Sequence, residues 1–341
     1  MKRHVLPLLI MLAIFGGAAY LLLNTTFFIS SAVPKIIRSY YKDIELDTFS
    51  VGQQRFILPD TLLLKDVAAD FVYRRTQYNV RLDQVTFHDF RKLWQLRQQV
   101  KMSGKGLRVI WDEGDVQDVS FESIVLFNTD AFVERIDSIM KGGQLQYAQY
   151  QIDRFTGRVK GDRKKLELFE VTAKGYGGSM QGQVQVDFKP DLTYVFWVEF
   201  NDLQTEAMKD VYSPLFKNVT TTINGNLRLL GDRERITLLD INCLAPQQAT
   251  LKREIAERII PQLSNPDQQD RLQSLLDGHP DLTVDEAMFS LRSLNDYSAT
   301  INFGLREEAS GLYVRDDVRI AINAGLKGLL IQRRPLKFNS E

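Results

Sequence analysis

The stretch Gly175 to Phe188, "GYGGSMQGQVQVDF", decides the fold class of this chain. Its glycine cluster permits two interpretations, a phosphate-binding loop or a tight chain reversal. A phosphate loop needs a helix N-terminus directly behind the glycines. Here apolar residues alternate with polar ones instead, which is the period of a strand with one apolar and one polar face. The stretch therefore predicts a turn followed by a half-buried strand.

The same alternation recurs through most of the chain after residue 46. It predicts strands at 78–87, 106–111, 118–127, 144–152, 155–161, 165–175, 192–200, 221–232, 298–305 and 316–326. Closely spaced strands with short turns are typical of an antiparallel meander. We therefore expect a mainly β fold with helical insertions, built on a long, curved antiparallel sheet.

Two short helices are predicted between the early strands, around 89–99 and 130–140. A longer helical insertion is predicted at 247–294. Its first helix carries one apolar stripe, formed by Leu251, Ile255, Ile259 and Leu263. Pro261 is expected to kink or end this helix.

Capping residues predict two further helices in the insertion. Asn265 is a good N-cap, and Pro266 suits the first helical position of a helix that stops at Gly278. Thr283 with Glu286 matches a capping box, which predicts a third helix through Phe289 and Leu291. We expect these helices to cover an open edge or face of the sheet, since unprotected sheet edges invite aggregation.

Composition excludes several classes of function. The 43 Lys and Arg residues equal the 43 Asp and Glu residues, which argues against a nucleic-acid partner. Cys243 is the only cysteine, so neither an intramolecular disulfide nor a cysteine-based zinc site can form. His4, His88 and His279 lie far apart and show no ligand spacing. We expect neither a metal nor a cofactor.

Catalytic motifs are also missing from the sequence. It contains no nucleophile elbow, no paired metal-binding histidines on a helix and no P-loop. The acidic pairs Asp316–Asp317 and Glu307–Glu308 would point to opposite faces on a strand, and a turn is the preferred interpretation of both. We therefore expect a protein that is not an enzyme.

The N-terminus predicts a membrane anchor. An uncharged apolar block runs from Val5 to Leu23, long enough to cross a hydrocarbon core as a helix. A cleaved signal peptide is the alternative, with small residues at 30–32 as a cleavage site, but the block is longer than a usual signal sequence. The positions of Lys2 and Arg3 put the N-terminus in the cytoplasm. Residues 1–34 are thus predicted to form the anchor and exit segment, and residues 35–341 an extracytoplasmic β-rich domain, periplasmic in a Gram-negative cell.

The apolar side of the predicted sheet has two interpretations that the residues leave open. It is either covered by the protein's own helices or by a second sheet, or it lines an apolar groove that accommodates hydrocarbon chains. The residues assigned to this lining are Met180, Val184, Val186, Phe188, Phe196, Ile223, Leu227, Leu229, Ile301 and Phe303.

The segment from Phe169 to Met208, followed by "TTINGNLRLLGD", resembles the AsmA family and its TamB relatives. In that family a Tyr-Gly-Gly-like turn, a glycine-punctuated strand, an aromatic-rich strand, a helix starting here near Asp202 and a Gly-x-Leu-x-Leu-x-Gly-like strand follow in this order. The matching residues are Tyr176, Gly177, Gly178, Gly182, Asp187, Gly225, Leu227, Leu229 and Gly231.

The resemblance implies an apolar β-groove anchored in the inner membrane and a role in phospholipid transport or outer-membrane biogenesis. It implies phospholipid or another acyl-chain lipid as the ligand, with envelope proteins as further partners. The alternative is a periplasmic scaffold with a closed β core that binds protein partners and carries no lipid.

Overall fold

A computed structural model describes residues 25–40, 43–57, 60–73, 75–89, 99–127, 133–162, 164–188, 192–211, 218–232, 234–263, 265–321 and 326. The described chain is mainly β, with 71% strand, a long antiparallel sheet and few helices, as the alternating pattern predicts. The predicted membrane span at Val5 to Leu23 lies outside the described residues. Within the described ranges, no helix combines the length and the apolarity that a membrane span requires.

The chain divides into two compact units. The first is drawn from Met1–Leu145 and Val159–Arg163, and the second from Gln146–Arg158 and Lys164–Glu341. The short strands β7 (Gln144–Tyr147), β8 (Tyr150–Ile152) and β9 (Arg154–Asp162) occupy the stretch in which the boundaries fall.

The first unit is an antiparallel meander in which each strand pairs with the next along the chain. Its elements are helix α1 (Thr26–Tyr40) and strands β1 (Ile44–Ile57), β2 (Thr61–Tyr73), β3 (Thr76–His88), β4 (Gln99–Trp111), β5 (Gly114–Phe127) and β6 (Val133–Gly142). The helix predicted around 130–140 is wrong from residue 133 onward, because β6 occupies that stretch and pairs with β5 over Ser120 to Phe127. Most of the helix predicted around 89–99 lies outside the described residues.

The apolar alternation in the first unit changes phase partway along the strands. On β2, Leu62 and Leu64 precede the change and Val67 follows it, and Asp66 between them has a φ of +53°. A left-handed residue breaks the two-residue period, and aspartate tolerates that region better than most side chains do. Residues from both sides of the break consequently share one core, which comprises Val51, Phe56, Leu62, Leu64 and Val85, with Ile29 of α1 packed on it.

The second unit holds the sheet that contains the opening stretch. From β10 onward its strands follow the order β10 (Lys165–Gly175), β11 (Gly178–Asp187), β12 (Thr193–Gln204), β14 (Thr222–Asp232), β15 (Ile236–Ala245), β18 (Glu286–Asn295), β19 (Ser298–Glu307) and β20 (Leu312–Ala321), all antiparallel. A second, three-stranded sheet contains β13 (Val219–Thr220), β16 (Ala249–Lys252) and β17 (Asp281–Val284).

The insertion at 247–294 is less helical than predicted. It contains helix α2 (Arg253–Ile259), a 3-10 turn (Ile260–Gln262) that includes Pro261, and helix α3 (Pro266–Leu276). Asn265 caps α3 as predicted, since its side chain accepts a hydrogen bond from the Asp267 amide. The third helix is wrong: Thr283 lies on β17 and Glu286 opens β18, because these segments pair with β16 and β15.

An aspartate ties three strands of the first unit together. Asp70 on β2 accepts hydrogen bonds from Thr48 on β1 at 2.6 Å, from Asn79 on β3 at 2.7 Å and from Arg81 on β3 at 3.1 Å. Burial raises the pKa of Asp70, but the hydrogen bonds from Thr48 and Arg81 and the charge of Arg81 outweigh it and leave the pKa below its usual value.

Because the folded-state pKa of Asp70 is lowered, its ionised form stabilises the fold above the ordinary pKa, and that contribution is lost as pH falls through the lowered value. We expect Asp70→Asn to lower the free energy of unfolding by about 1 kcal/mol at pH 7 and by much less at acid pH. Urea denaturation of the full chain at both pH values measures this. Glu122→Gln, at an exposed position on β5, is the control. An equal effect of Asp70→Asn at both pH values would contradict the assignment.

Candidate functional site: the apolar face of the second sheet

The glycines of the opening stretch form a two-residue hairpin turn. Gly175 pairs with Gly178, and the two residues between them, Tyr176 and Gly177, have φ angles of +53° and +78°. Positive φ at both central positions is the geometry of a type I′ turn, which matches the twist of the flanking strands. The tight reversal followed by a strand is therefore confirmed.

Tyr176 is held at this left-handed position by two hydrogen bonds. Its hydroxyl oxygen accepts from the Gln151 amide at 2.6 Å, and its carbonyl oxygen accepts from the Gln204 amide at 2.9 Å. Burial raises the pKa of the Tyr176 hydroxyl above its ordinary value. The side chain is therefore a neutral phenol that joins the turn to the backbone at Gln151.

Cross-strand register places the predicted lining on one face of the sheet, which we call the apolar face. Residues directly opposite each other in an antiparallel pair share a face. One row of such partners runs Met180, Phe200, Gly225, Cys243, Phe289 and Phe303; the next runs Gly182, Val198, Leu227, Ile241, Leu291 and Ile301; a third begins Val184, Phe196, Leu229 and Leu239.

All of the predicted lining residues inside the strands belong to this face. Val186 opposes Tyr194 in a fourth row, and Ile223 opposes Leu203 beyond a register shift in β12. Phe188 follows the last residue of β11 and is 41% exposed. The structure thus brings together residues that lie up to about 120 positions apart in the sequence.

Part of the apolar face is covered by the protein itself. The three-stranded sheet with α2 and α3, which we call the helical layer, shares one core with one end of the main sheet. That core includes Phe200, Leu203, Ile223, Leu272 and Leu276. Met180 and Phe303 pack against it. Three predicted lining residues, Met180, Ile223 and Phe303, therefore contact protein.

Polar contacts fix the helical layer in place. Thr205, which follows β12, is almost fully buried, and its hydroxyl donates to the carbonyl oxygen of Val219 at 2.7 Å. Arg253 on α2 donates to the carbonyl oxygens of Leu276 at 2.6 Å and His279 at 2.8 Å, at the end of α3. Since the last carbonyls of a helix lack partners within it, this arginine stabilises the packing of α2 against α3.

A second covered area surrounds Leu326. This residue is 0% exposed, and its amide donates to the carbonyl oxygen of Asp296 at 2.9 Å. It packs with Ile236, Leu239, Leu291 and Ala299, and Leu229 and Ile301 lie against the same cluster. The apolar face from β15 to β19 therefore packs against Leu326 around Leu239 and Leu291.

The rest of the face, on β11, β12 and β14, belongs to none of the buried clusters formed by described residues. We call it the open patch; its members are half-buried, and they are Val184, Val186, Tyr194, Phe196, Val198 and Leu227. Four of the ten predicted lining residues, Val184, Val186, Phe196 and Leu227, lie here.

Two glycines of the family-like pattern make room for aromatic rings on this face. A methyl group on Gly225 would overlap the carbonyl oxygen of Asn242 and lie 2.8 Å from the ring of Phe200. A methyl group on Gly231 would overlap the hydroxyl of Tyr194. Gly182 is similarly crowded by Trp197 and Val198. These positions require glycine because neighbouring backbone and rings approach closely.

The resemblance implied a helix starting near Asp202, but residues 202–204 are still strand, and turns with hydrogen bonds from residue i to i−3 follow at 205–211. Strand β12 continues to Gln204, with Asp202 at a φ of +58° inside a register shift. The Asp202 amide donates to the side-chain oxygen of Asn224 at 2.7 Å. The pairing with β14 therefore extends the strand beyond the point where a helix was expected.

The opposite face of the sheet is mostly polar. Gln181 donates to Glu199 at 2.8 Å, and Asn242 donates to Asn226 at 3.1 Å. Val195 and Trp197 are half-buried on this side and oppose Gln185 and Gln183. The alternation in the opening stretch thus separates a hydrogen-bonded polar surface from the apolar face.

The two acidic pairs lie in different local structures, one at a turn and the other within a strand. Glu307 accepts hydrogen bonds from the amides of Ser310 at 2.6 Å and Ala309 at 3.1 Å, as expected of a turn, and its hydrogen bonds to Ser310 hold its pKa below the usual value. Asp316 and Asp317 lie within β20, so the turn predicted for them is wrong. Among the described residues, no group of three His, Cys, Asp or Glu is arranged to hold a metal ion.

Sequence patterns did not identify the two elements that pack on the apolar face, the three-stranded sheet of the helical layer and Leu326. Strands β16 and β17 were read as helix, and the packing of Leu326 against Leu239 had no local signal. The apolar stripe of the insertion helices indicated that they bury a face, but which rows of the sheet they cover depends on contacts distant in sequence.

Comparison with protein-family models, with curated proteins and with solved structures finds no significant match to this chain.

Replacing Gly225 tests the close approach on this face. We expect Gly225→Ala to lower the free energy of unfolding by about 1–3 kcal/mol, because the strand must move away from Asn242. Gly304→Ala is the matched control, since a methyl group on Gly304 would meet Met288 at an ordinary 3.5 Å. Thermal unfolding of both variants makes the comparison. Similar stabilities of the two variants would show that the β14 backbone can move away from Asn242 with little loss of folding free energy.

Cys243 lies on the apolar face beside the helical core, and burial raises the pKa of its thiol to about 12. Because the thiolate is the reactive form, we expect maleimide to modify the native chain at pH 8 at least about 100-fold more slowly than the denatured chain. Mass spectrometry of the time course measures both rates. Comparable rates would mean that this end of the face opens readily.

Proposed function

We propose that this chain is an inner-membrane-anchored, periplasmic protein that binds phospholipid acyl chains on the apolar face of its second sheet. In this proposal it contributes to lipid transport or outer-membrane biogenesis and catalyses no reaction. The open patch, the half-buried part of that face that belongs to none of the buried clusters of described residues, is the observation that carries it.

The chemistry of the open patch suits hydrocarbon. Val184, Val186, Phe196 and Leu227 present methyl groups and an aromatic ring, and they lie in adjacent rows on neighbouring strands. Burial of an acyl chain gains about 0.8 kcal/mol per methylene removed from water. A chain with ten methylenes half-sheltered on this patch gains about 4 kcal/mol. Such binding is non-directional and needs no polar anchor.

The apolar block at Val5 to Leu23 supports lipid as the ligand, because a membrane anchor keeps the domain close to a source of acyl chains. The resemblance to AsmA-like proteins, carried by Tyr176, Gly177 and the glycines of the following strands, agrees with this. The proposal places the N-terminus in the cytoplasm, on the basis of Lys2 and Arg3.

A protein-binding scaffold is the second candidate, and the helical layer favours it. Met180, Ile223 and Phe303 were assigned to the groove, and they pack against helices of the same chain. If partner proteins or the chain itself fill the open patch as well, no lipid is carried. The two candidates therefore differ in what contacts Phe196.

Site-specific photo-crosslinking of the full chain in living cells separates them. We expect a benzoylphenylalanine at Phe196 to yield phospholipid adducts, detected by mass spectrometry, whereas the same residue at Gln183 on the opposite face yields few. Protein adducts at position 196 without lipid adducts would support the scaffold and overturn lipid binding.

A charge placed in the patch supplies a second test. We expect Val186→Glu to reduce the lipid adducts at position 196 at least tenfold, because a carboxylate cannot be buried against hydrocarbon without cost. Gln185→Glu, which puts the same group on the other face of β11, is the control. Circular dichroism shows whether both variants remain folded; global unfolding by Val186→Glu alone would indicate a closed core.

A further inference from the structure

We infer that residues 327–334, which we call the strap, continue from Leu326 across the apolar face and cover the open patch until an acyl chain displaces them. The inference rests on the proposed function for the ligand that displaces the strap, and it adds a means of regulating access to the site. Three observations on the second unit support it.

The first observation is the position of Leu326 beside the open patch. Leu326, the last residue that the structure describes, is 0% exposed and packs on Ile236 and Leu239 of β15. Each of these two residues begins a row of cross-strand partners that continues into the patch. The rows are Ile236, Gly231, Tyr194 and Val186, and Leu239, Leu229, Phe196 and Val184. The described chain therefore ends at the border of the patch, on the same face.

The second observation is the direction in which the chain reaches this border. Strand β20 ends at Ala321, which pairs with Ser298 on β19. Five residues later, Leu326 packs on β15, three strands farther along the order β20, β19, β18 and β15. Its amide donates to the carbonyl oxygen of Asp296, in the turn between β18 and β19. A chain that continues in this direction next crosses β14, β12 and β11, the strands of the open patch.

The third observation is that apolar side chains follow Leu326 at a matching distance. The strap reads "KGLLIQRR", and Leu329 and Leu330 follow Leu326 at the i+3 and i+4 spacing of one helical face. Four residues rise about 6 Å as a helix and about 13 Å as an extended chain. From Leu229, which lies against the cluster of Leu326, to Phe196 is one strand spacing, about 4.8 Å. Leu330 therefore reaches the open patch in either conformation.

The strap and an acyl chain compete for the patch on similar terms. The side chains of Leu329 and Leu330 together hold about eight carbon atoms, close to the ten methylenes of the acyl chain considered above. Apolar burial is non-directional and scales with the area removed from water, so either group can occupy the same surface. Because ordering the strap costs conformational entropy, an acyl chain can displace it.

Photo-crosslinking of the full chain in living cells tests the position of the strap. Lys327 and Arg333 bound a tryptic peptide of residues 328–333. We expect a benzoylphenylalanine at Phe196 to crosslink to this peptide in a product of monomer mass, in addition to forming phospholipid adducts. The same residue at Gln183, on the opposite face, is the control, and we expect it to give at least tenfold less of the crosslinked peptide.

Charges in the strap test the displacement. We expect Leu329→Glu combined with Leu330→Glu to abolish the crosslink and to raise the phospholipid adducts at position 196 at least threefold, because carboxylates cannot be buried against hydrocarbon without cost. Gln332→Glu, which places a carboxylate outside the apolar spacing, is the control and should change neither product. Circular dichroism checks that both variants remain folded. Unchanged phospholipid adducts in the double variant would overturn the inference.

The products at position 196 also separate this inference from the proposed function. Phospholipid adducts without a crosslink to residues 328–333 would overturn the strap and leave lipid binding intact. A crosslink to these residues without phospholipid adducts, in the double variant as well, would overturn lipid binding and make the strap a permanent part of a closed core. Crosslinks only to a second copy, to another protein or to another part of the chain would overturn both.

Discussion

Opposed residues of antiparallel strands point to the same face, and this constraint organises the second unit. Because neighbouring strands of this sheet pair in a defined register, an apolar residue in one strand fixes the face on which its cross-strand partners lie. The row from Met180 through Phe200 and Cys243 to Phe303 follows from that rule alone. A slip of one residue in any strand would transfer its apolar side chains to the polar side, where Gln181 and Glu199 are hydrogen-bonded.

Strict pairing also creates crowding, and glycine relieves it. Phe200 and Tyr194 stand opposite Gly225 and Gly231, so their rings occupy the space that side chains on β14 would otherwise fill. Where regular alternation cannot continue, residues with positive φ absorb the mismatch: Asp202 in β12, Glu170 in β10 and Asp66 in β2. Left-handed residues in these strands therefore help to preserve a continuous apolar side.

The helical layer gives the apolar face two distinct regions. At one end, Leu272 and Leu276 of α3 complete a core with Phe200 and Ile223, and this end has the character of an ordinary protein interior. Toward Val186 and Phe188 the face is half-buried or exposed. The same sheet thus combines a stabilising core with a half-buried apolar surface, and the boundary between them lies at Met180 and Gly182.

The sequence by itself determined the strand character of Gly178 to Asp187, the hairpin turn at Tyr176 and Gly177, and the helix capped by Asn265, because each depends on neighbours a few residues away. Within each strand it also placed the lining residues on one side, since period-two alternation is a local property, but only the cross-strand register joined those sides into one face. Only the tertiary structure decided that β6, β17 and β18 are strands, because their pairing partners outweigh local helix signals such as the Thr283–Glu286 capping pattern. It likewise decided that Met180, Ile223 and Phe303 join the core of the helical layer, whereas Val184 and Phe196 belong to none of the buried clusters of described residues, because burial depends on which distant elements, α3 and Leu326 among them, pack over each row.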